Sequence, residues 1–282
     1  MTRFVAAALA ASTAISAPAA AREPTEAERQ ARREARAAER AERAERYFVS
    51  IWHVEESDAP LGPLTVRDGD YVFRNRLLPS SLVRLTADAV DQESGELVAE
   101  AGTQLFGLST RGAPIYCVAG RREASALTRI LLSAGNRQIC FVDLDKDGRL
   151  DGHFSAGNAV RGVPNFSGHR PRNPKRLATP ASYRQLRPEE METDYFVGVR
   201  YRGRALLNSR PVFTVTFGTL SSRESLTSGI RGPRELNARP VSAMGGEFVI
   251  TGREGSTLQV DIRRKVPPQP FHVIQTVTYS FY

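Results

Sequence analysis

Short runs of β-branched and aromatic residues, each closed by Gly or Pro, recur along most of this chain and constrain it to antiparallel sheet. Residues 47–54 carry Tyr47, Phe48, Val49, Ile51, Trp52 and Val54 and run into the turn-rich Pro60, Leu61, Gly62 and Pro63. Runs of the same kind fall at 71–74, 81–86, 96–98, 102–107 and 114–118, and again at 195–199, 211–217, 247–251, 258–262 and 271–282. In the last of these Phe271, Val273, Val277, Tyr279 and Phe281 share one parity, as a half-buried strand requires. The pattern predicts a mainly β (α+β) protein, the earlier runs forming a meander or small barrel. Between Cys117 and Cys140, the spacing of Ala126, Leu127, Ile130 and Leu131 predicts one short helix.

Composition shifts divide the chain further. Residues 22–46 are almost wholly Ala, Glu and Arg, and Thr25 with Glu28 has the spacing of a capping box. Pairs such as Glu28/Arg32 and Glu42/Arg46 support a helix, and no face carries large apolar residues, so a solvated spacer is predicted. An alanine-seamed coiled coil through Ala27, Ala31, Ala35 and Ala38 is the sharper alternative, but methyl groups bury little area. From 158 to 188 there are five Pro and seven Lys or Arg but no Asp or Glu. Residues 158–192 accordingly read as a basic linker or loop without a strand, separating a β-rich domain at 47–157 from a second β-rich unit at 193–282.

The 282 residues carry a formal net charge of +8. Lysine occurs only at 146, 175 and 265, so the surplus is arginine, and it is read first as generic surface charge. A weak contact with a polyanion would run through Arg170, Arg172, Lys175 and Arg176. The only markedly apolar run lies within residues 1–21, where Arg3 precedes an Ala-rich stretch ending in Ala19, Ala20 and Ala21. That is the pattern of a secretory signal peptide cleaved after Ala21. It places the chain in the periplasm or outside the cell and leaves no transmembrane helix in the mature part. An oxidising compartment favours a disulfide between Cys117 and Cys140, and two thiols alone cannot complete a four-ligand zinc site.

One segment has the composition of a metal site. Asp143, Asp145, Asp147, Gly148 and Asp151 form D-x-D-x-D-G-x-x-D. It resembles the first nine positions of an EF-hand or dockerin-type calcium loop. The resemblance implies Ca2+ bound by the carboxylates of Asp143, Asp145 and Asp147, by the Arg149 carbonyl, and by Asp151 directly or through water. Position 12, where an EF-hand places a bidentate Glu, is Phe154, and the flanks read as strands. A strand-loop-strand site of weak, extracellular-range affinity is the apt form, and a plain hairpin turning at Asp147 and Gly148 is its alternative. A Cys just before an Asp-rich loop in a signal-bearing chain is also similar to uncharacterised exported bacterial proteins.

No G-x-S-x-G, H-E-x-x-H, phosphate-cradling G-x-x-x-x-G-K or dinucleotide fingerprint is present. His53, His153, His169 and His272 are scattered without metal-ligand spacing. The leading expectation is an exported, non-catalytic envelope protein with a calcium loop. Two alternatives stand beside it. One is a polysaccharide or peptide hydrolase using a carboxylate pair such as Asp145 and Asp151; the other is an outer-membrane β protein, suggested by the aromatic C-terminal run.

Overall fold

The computed structural model describes residues 25–57, 59–119, 137–158, 167–203, 210–220, 223–225 and 229–272. Three sequence-based expectations lie outside the described residues: the signal peptide, the helix between the cysteines, and all but the start of the C-terminal strand.

The spacer helix forms as its sequence dictates. It spans Glu26–Arg46, and none of its residues is buried. Its start is a capping box, in which the Thr25 amide donates to Glu28 Oε2 (2.7 Å) and the Glu28 amide donates to Thr25 Oγ1 (3.3 Å). Chain contacts separate residues up to Ala41 from a second unit that begins at Glu42. Among the described residues no helix is long and apolar enough to cross a membrane.

The second unit is built from antiparallel strands. Six of them close a barrel in the order Ile115–Val118, Arg137–Val142, Arg149–Asn158, Lys175–Leu186, Leu82–Leu85 and Gln104–Gly107. A larger sheet runs Arg223–Ser225, Val212–Gly218, Phe196–Arg202, Tyr71–Pro79, Trp52–Val54 and Gln269–Phe271, with Ile230–Arg231 also paired to Val212–Gly218. A four-stranded sheet runs Val241–Ala243, Gly246–Glu254, Thr257–Arg264 and Gly62–Val66. Alternation along the barrel strands sends neighbours to two different apolar clusters. Leu82, Phe106, Cys117, Cys140 and Val142 join the main cluster, whereas Val83, Leu105, Phe141 and Leu150 form a second. Trp52, fully buried, ties the larger sheet to the barrel: its ring lies 5.2 Å from Phe106 and 5.1 Å from Tyr195.

Two expectations are corrected. The basic stretch 158–192, read as a linker without a strand, contains Ser167–His169 and the twelve-residue Lys175–Leu186, which completes the barrel between Arg149–Asn158 and Leu82–Leu85. Pro180 is accommodated because residues 177–180 fall in a bulge of the ladder to Arg149–Asn158. There the register jumps from Leu150↔Ala181 to Gly152↔Arg176, so the missing N–H leaves no gap. Nor do residues 193–282 stand as a separate β-rich unit. Phe196–Arg202 pairs with Tyr71–Pro79, and Thr257–Arg264 pairs with Gly62–Val66. Periodicity reveals that a segment is a strand, not which strand it will lie beside.

Candidate metal centre

The Asp-rich segment joins two adjacent barrel strands, Arg137–Val142 and Arg149–Asn158, so it is a strand-loop-strand turn. The disulfide Cys117–Cys140 crosses directly opposite residues of neighbouring strands, three positions before Asp143. The Asp143 amide donates to the Pro114 carbonyl (3.1 Å), extending that pairing into the loop and burying Asp143 at the end of the strand. The loop reverses through two left-handed residues, Lys146 (φ 64°) and Gly148 (φ 87°), the second at the position where the motif requires glycine.

This reversal folds carboxylates back over the turn. One oxygen each from Asp143, Asp145 and Asp151 lies within 4.8 Å of the others. Oxygens bound to one Ca2+ at 2.3–2.6 Å stand up to about 5 Å apart, so the spacing fits a single hard cation. An all-carboxylate donor set favours calcium or magnesium over thiolate-loving or imidazole-loving metals. Three side-chain oxygens fall short of the six to eight that calcium takes, which leaves the remainder to backbone carbonyls and water.

Asp147 stands outside this group. Its Oδ1 accepts from the Arg149 amide (2.8 Å), so the residue expected at position 5 caps the start of the next strand instead. The Arg149 side chain is likewise engaged, its Nη2 donating to the Pro180 carbonyl (3.1 Å). The three convergent carboxylates also accept backbone N–H groups. Asp143 takes those of Asp147 (3.2 Å) and Gly148 (3.0 Å), Asp145 that of Asp147 (3.2 Å), and Asp151 that of Leu144 (2.6 Å). These donors hold the turn but do not neutralise it. Burial pushes the Asp143 carboxyl above its ordinary value despite them, and the Asp147 carboxylate adds to the effect. Tyr183 is affected too: burial, a hydrogen bond with Tyr116, and the charges of Asp143 and Asp147 all push its phenol up. Phe154, at the position of the EF-hand's bidentate Glu, is buried, its ring 5.9 Å from that of Phe48.

The four cations proposed for a polyanion contact have different surroundings. Arg172 Nε lies 2.9 Å from Glu42, and Lys175 Nζ lies 3.5 Å from Asp91. Arg176 pairs with Gly152 one step along the ladder from the His153↔Lys175 pair, so alternation turns it to the opposite face. Arg170 is held through its backbone, its amide donating to the Arg46 carbonyl (2.8 Å) and its carbonyl accepting from Arg46 Nη1 (3.0 Å).

A second buried carboxylate escaped the sequence reading. Asp91 Oδ1 accepts from the Glu93 amide (2.9 Å), the Ser94 amide (2.8 Å) and the Ser94 hydroxyl (3.1 Å), while Oδ2 faces His153 Nε2 at 2.8 Å. These donors, the Ser94 amide foremost, hold the Asp91 carboxyl well below the usual carboxylate range. Asp91 lies 62 residues from His153 in the chain, and the Asp91↔Leu177 bridge, with the Gln92 amide donating to the Arg176 carbonyl (3.0 Å), brings its turn to the barrel wall. Comparison with protein-family models, with curated proteins and with solved structures found no match to this chain.

Proposed function

We propose that this protein is exported to the periplasm or beyond and is a non-catalytic envelope component whose barrel turn binds calcium through Asp143, Asp145 and Asp151. The observation that carries the reading is the convergence of three carboxylate oxygens within 4.8 Å around a buried Asp143. A buried anion among other anions is costly unless a cation joins it, and outside the cytoplasm the abundant hard cation that tolerates irregular oxygen cages is calcium. Compartment and ligand support each other. The signal-like N-terminus and the disulfide argue for an oxidising space, and a site built on three monodentate carboxylates suits the high calcium levels found there. In this reading the metal and the cross-link pin the same hairpin, one at its turn and one in its strands.

The test is a calcium titration followed by thermal unfolding and by terbium luminescence, with Tyr183 and Tyr116 as nearby donors to the bound lanthanide. Saturation with Kd on the order of 10⁻⁴ to 10⁻³ M is expected. Asp143→Asn should remove both signals. A melting temperature and a terbium signal that stay flat up to about 10 mM metal would refute the reading.

A further inference from the structure

His153, Ser155, His169, Asn173 and Lys175 line an open groove of about 480 Å³ on the face of the barrel where Arg149–Asn158, Ser167–His169 and Lys175–Leu186 meet. The volume is in the range of small-ligand sites. Alternation places His153 and Ser155 on one face of their strand, and the register sets Lys175 directly opposite His153.

Lys175 is the one constitutive cation among the described residues lining this groove, and the acids near it are already partnered. Asp91, beneath it, holds three donors on Oδ1 and shares Oδ2 between His153 and Lys175. Glu42, at its margin, is divided between Arg46 (3.4 Å) and Arg172 (2.9 Å). The histidines are poor metal ligands here. Arg43 Nε donates to His169 Nε2 (3.3 Å), which consumes that lone pair and leaves Nδ1 carrying the proton, while His153 Nε2 is spent on Asp91. Burial, with Arg43 and Arg46 beside it, lowers the His169 pKa, so the ring offers a neutral N–H. The groove's lining therefore includes donors: an ammonium, an amide, a hydroxyl and an imidazole N–H.

We propose that this groove binds a phosphoryl group, with Lys175, Asn173, Ser155 and His169 as donors to its oxygens and Asp91 as the residue that positions His153 and Lys175. A tetrahedral oxyanion has enough acceptor oxygens to take donors from several sides of one groove beside an ammonium, as a carboxylate with two does not. The site is independent of the calcium reading, because its residues lie outside the Asp143–Asp151 group.

The experiment is a calorimetric titration of the full chain with inorganic pyrophosphate in EDTA, which removes any contribution from calcium. A parallel arm measures co-sedimentation with vesicles of phosphatidylglycerol in phosphatidylcholine, against phosphatidylcholine alone. Saturable pyrophosphate binding that Lys175→Gln weakens about tenfold is the expected result, with Asn173→Ala weakening it about threefold and Arg172→Gln leaving it within about twofold. Asn173 is exposed, so its variant reports on binding even if Lys175→Gln disturbs the fold through Asp91. Vesicle binding that needs Lys175 and Asn173, without pyrophosphate binding, identifies a lipid phosphate as the source. Binding to neither probe, or binding that ignores both substitutions, overturns the proposal, while a calcium response in the same preparation would still stand.

Discussion

Asp143 and Asp91 are both buried aspartates, 2% and 3% exposed, one at the end of a barrel strand and one in a turn bridged to the barrel, yet their carboxyls are displaced in opposite directions. Each accepts backbone N–H groups from its own turn. They differ in company. Asp91 has His153 at 2.8 Å and Lys175 at 3.5 Å, so the protein supplies its countercharge. Asp143 has Asp145 and Asp151 within 4.8 Å and Asp147 adding to the repulsion, so in the proposed reading its countercharge comes from outside. At Asp91 the Ser94 amide and His153 outweigh burial, whereas at Asp143 burial outweighs the amide donors and the Asp147 carboxylate adds to it. One turn is a closed structural network, the other an open one that a divalent ion would complete.

The hardest test of this contrast is truncation of the closed network. Asp91→Ala strands the Ser94 and Glu93 donors together with His153 and Lys175, and should lower the melting temperature by roughly 10 °C with or without calcium. If it melts like the parent protein, the network is not structural.

Calcium should act only on the open turn. At about 10 mM metal and a Kd of 10⁻⁴ to 10⁻³ M, linkage gives about 1.4–2.7 kcal/mol, a rise of roughly 5 °C by calorimetry. Asp143→Asn should abolish that rise while making the metal-free protein slightly more stable, by about 2 °C, because it removes a repelled charge. A metal-free variant that melts well below the parent would contradict the charge argument.

The pH dependence of the metal-free protein separates the two carboxylates by sign. Asp143 has a folded pKa above its reference of 3.8, so protonation favours the folded state, and its contribution grows as pH falls from above the folded pKa toward 3.8. Asp91 has a folded pKa below 3.8, so its stabilisation is complete above that value and drains away as pH falls through the folded pKa. Denaturant midpoints measured from pH 7 to pH 2 should show Asp143→Asn removing a gain on the way down to 3.8, and Asp91→Asn removing a loss below it. The same slope in both variants would erase the distinction.

The smallest effect is expected at Asp147. With its oxygen on the Arg149 amide, Asp147→Ala should cost about 1 kcal/mol of turn stability and leave the calcium response in place. Loss of that response would instead return Asp147 to the ligand set that the EF-hand resemblance implies.

Local chemistry was legible from the chain alone: the capped helix from its Thr25 and Glu28 spacing, the strands from alternation, the disulfide from two cysteines, and a turn through Gly148 from the Asp motif. Each depends on residues close in sequence or on a pair with no competitor. Which Asp residues converge was not legible, because the ligand role of Asp147 and its capping role differ by one side-chain rotation. The strand Lys175–Leu186 was hidden by Pro180, which is harmless only because a bulge in a distant ladder falls there.

What the sequence determined by itself, then, was the element types and the acidic turn, since hydrophobic period, capping and backbone handedness act over a few residues. What the tertiary structure alone decided was partnership: Trp52 against Phe106, Phe196–Arg202 beside Tyr71–Pro79, and Asp91 under His153 and Lys175. Those contacts join residues tens to more than a hundred positions apart. Pairing within the larger sheet and packing against the barrel bring them together, and no local pattern along the chain carries that information.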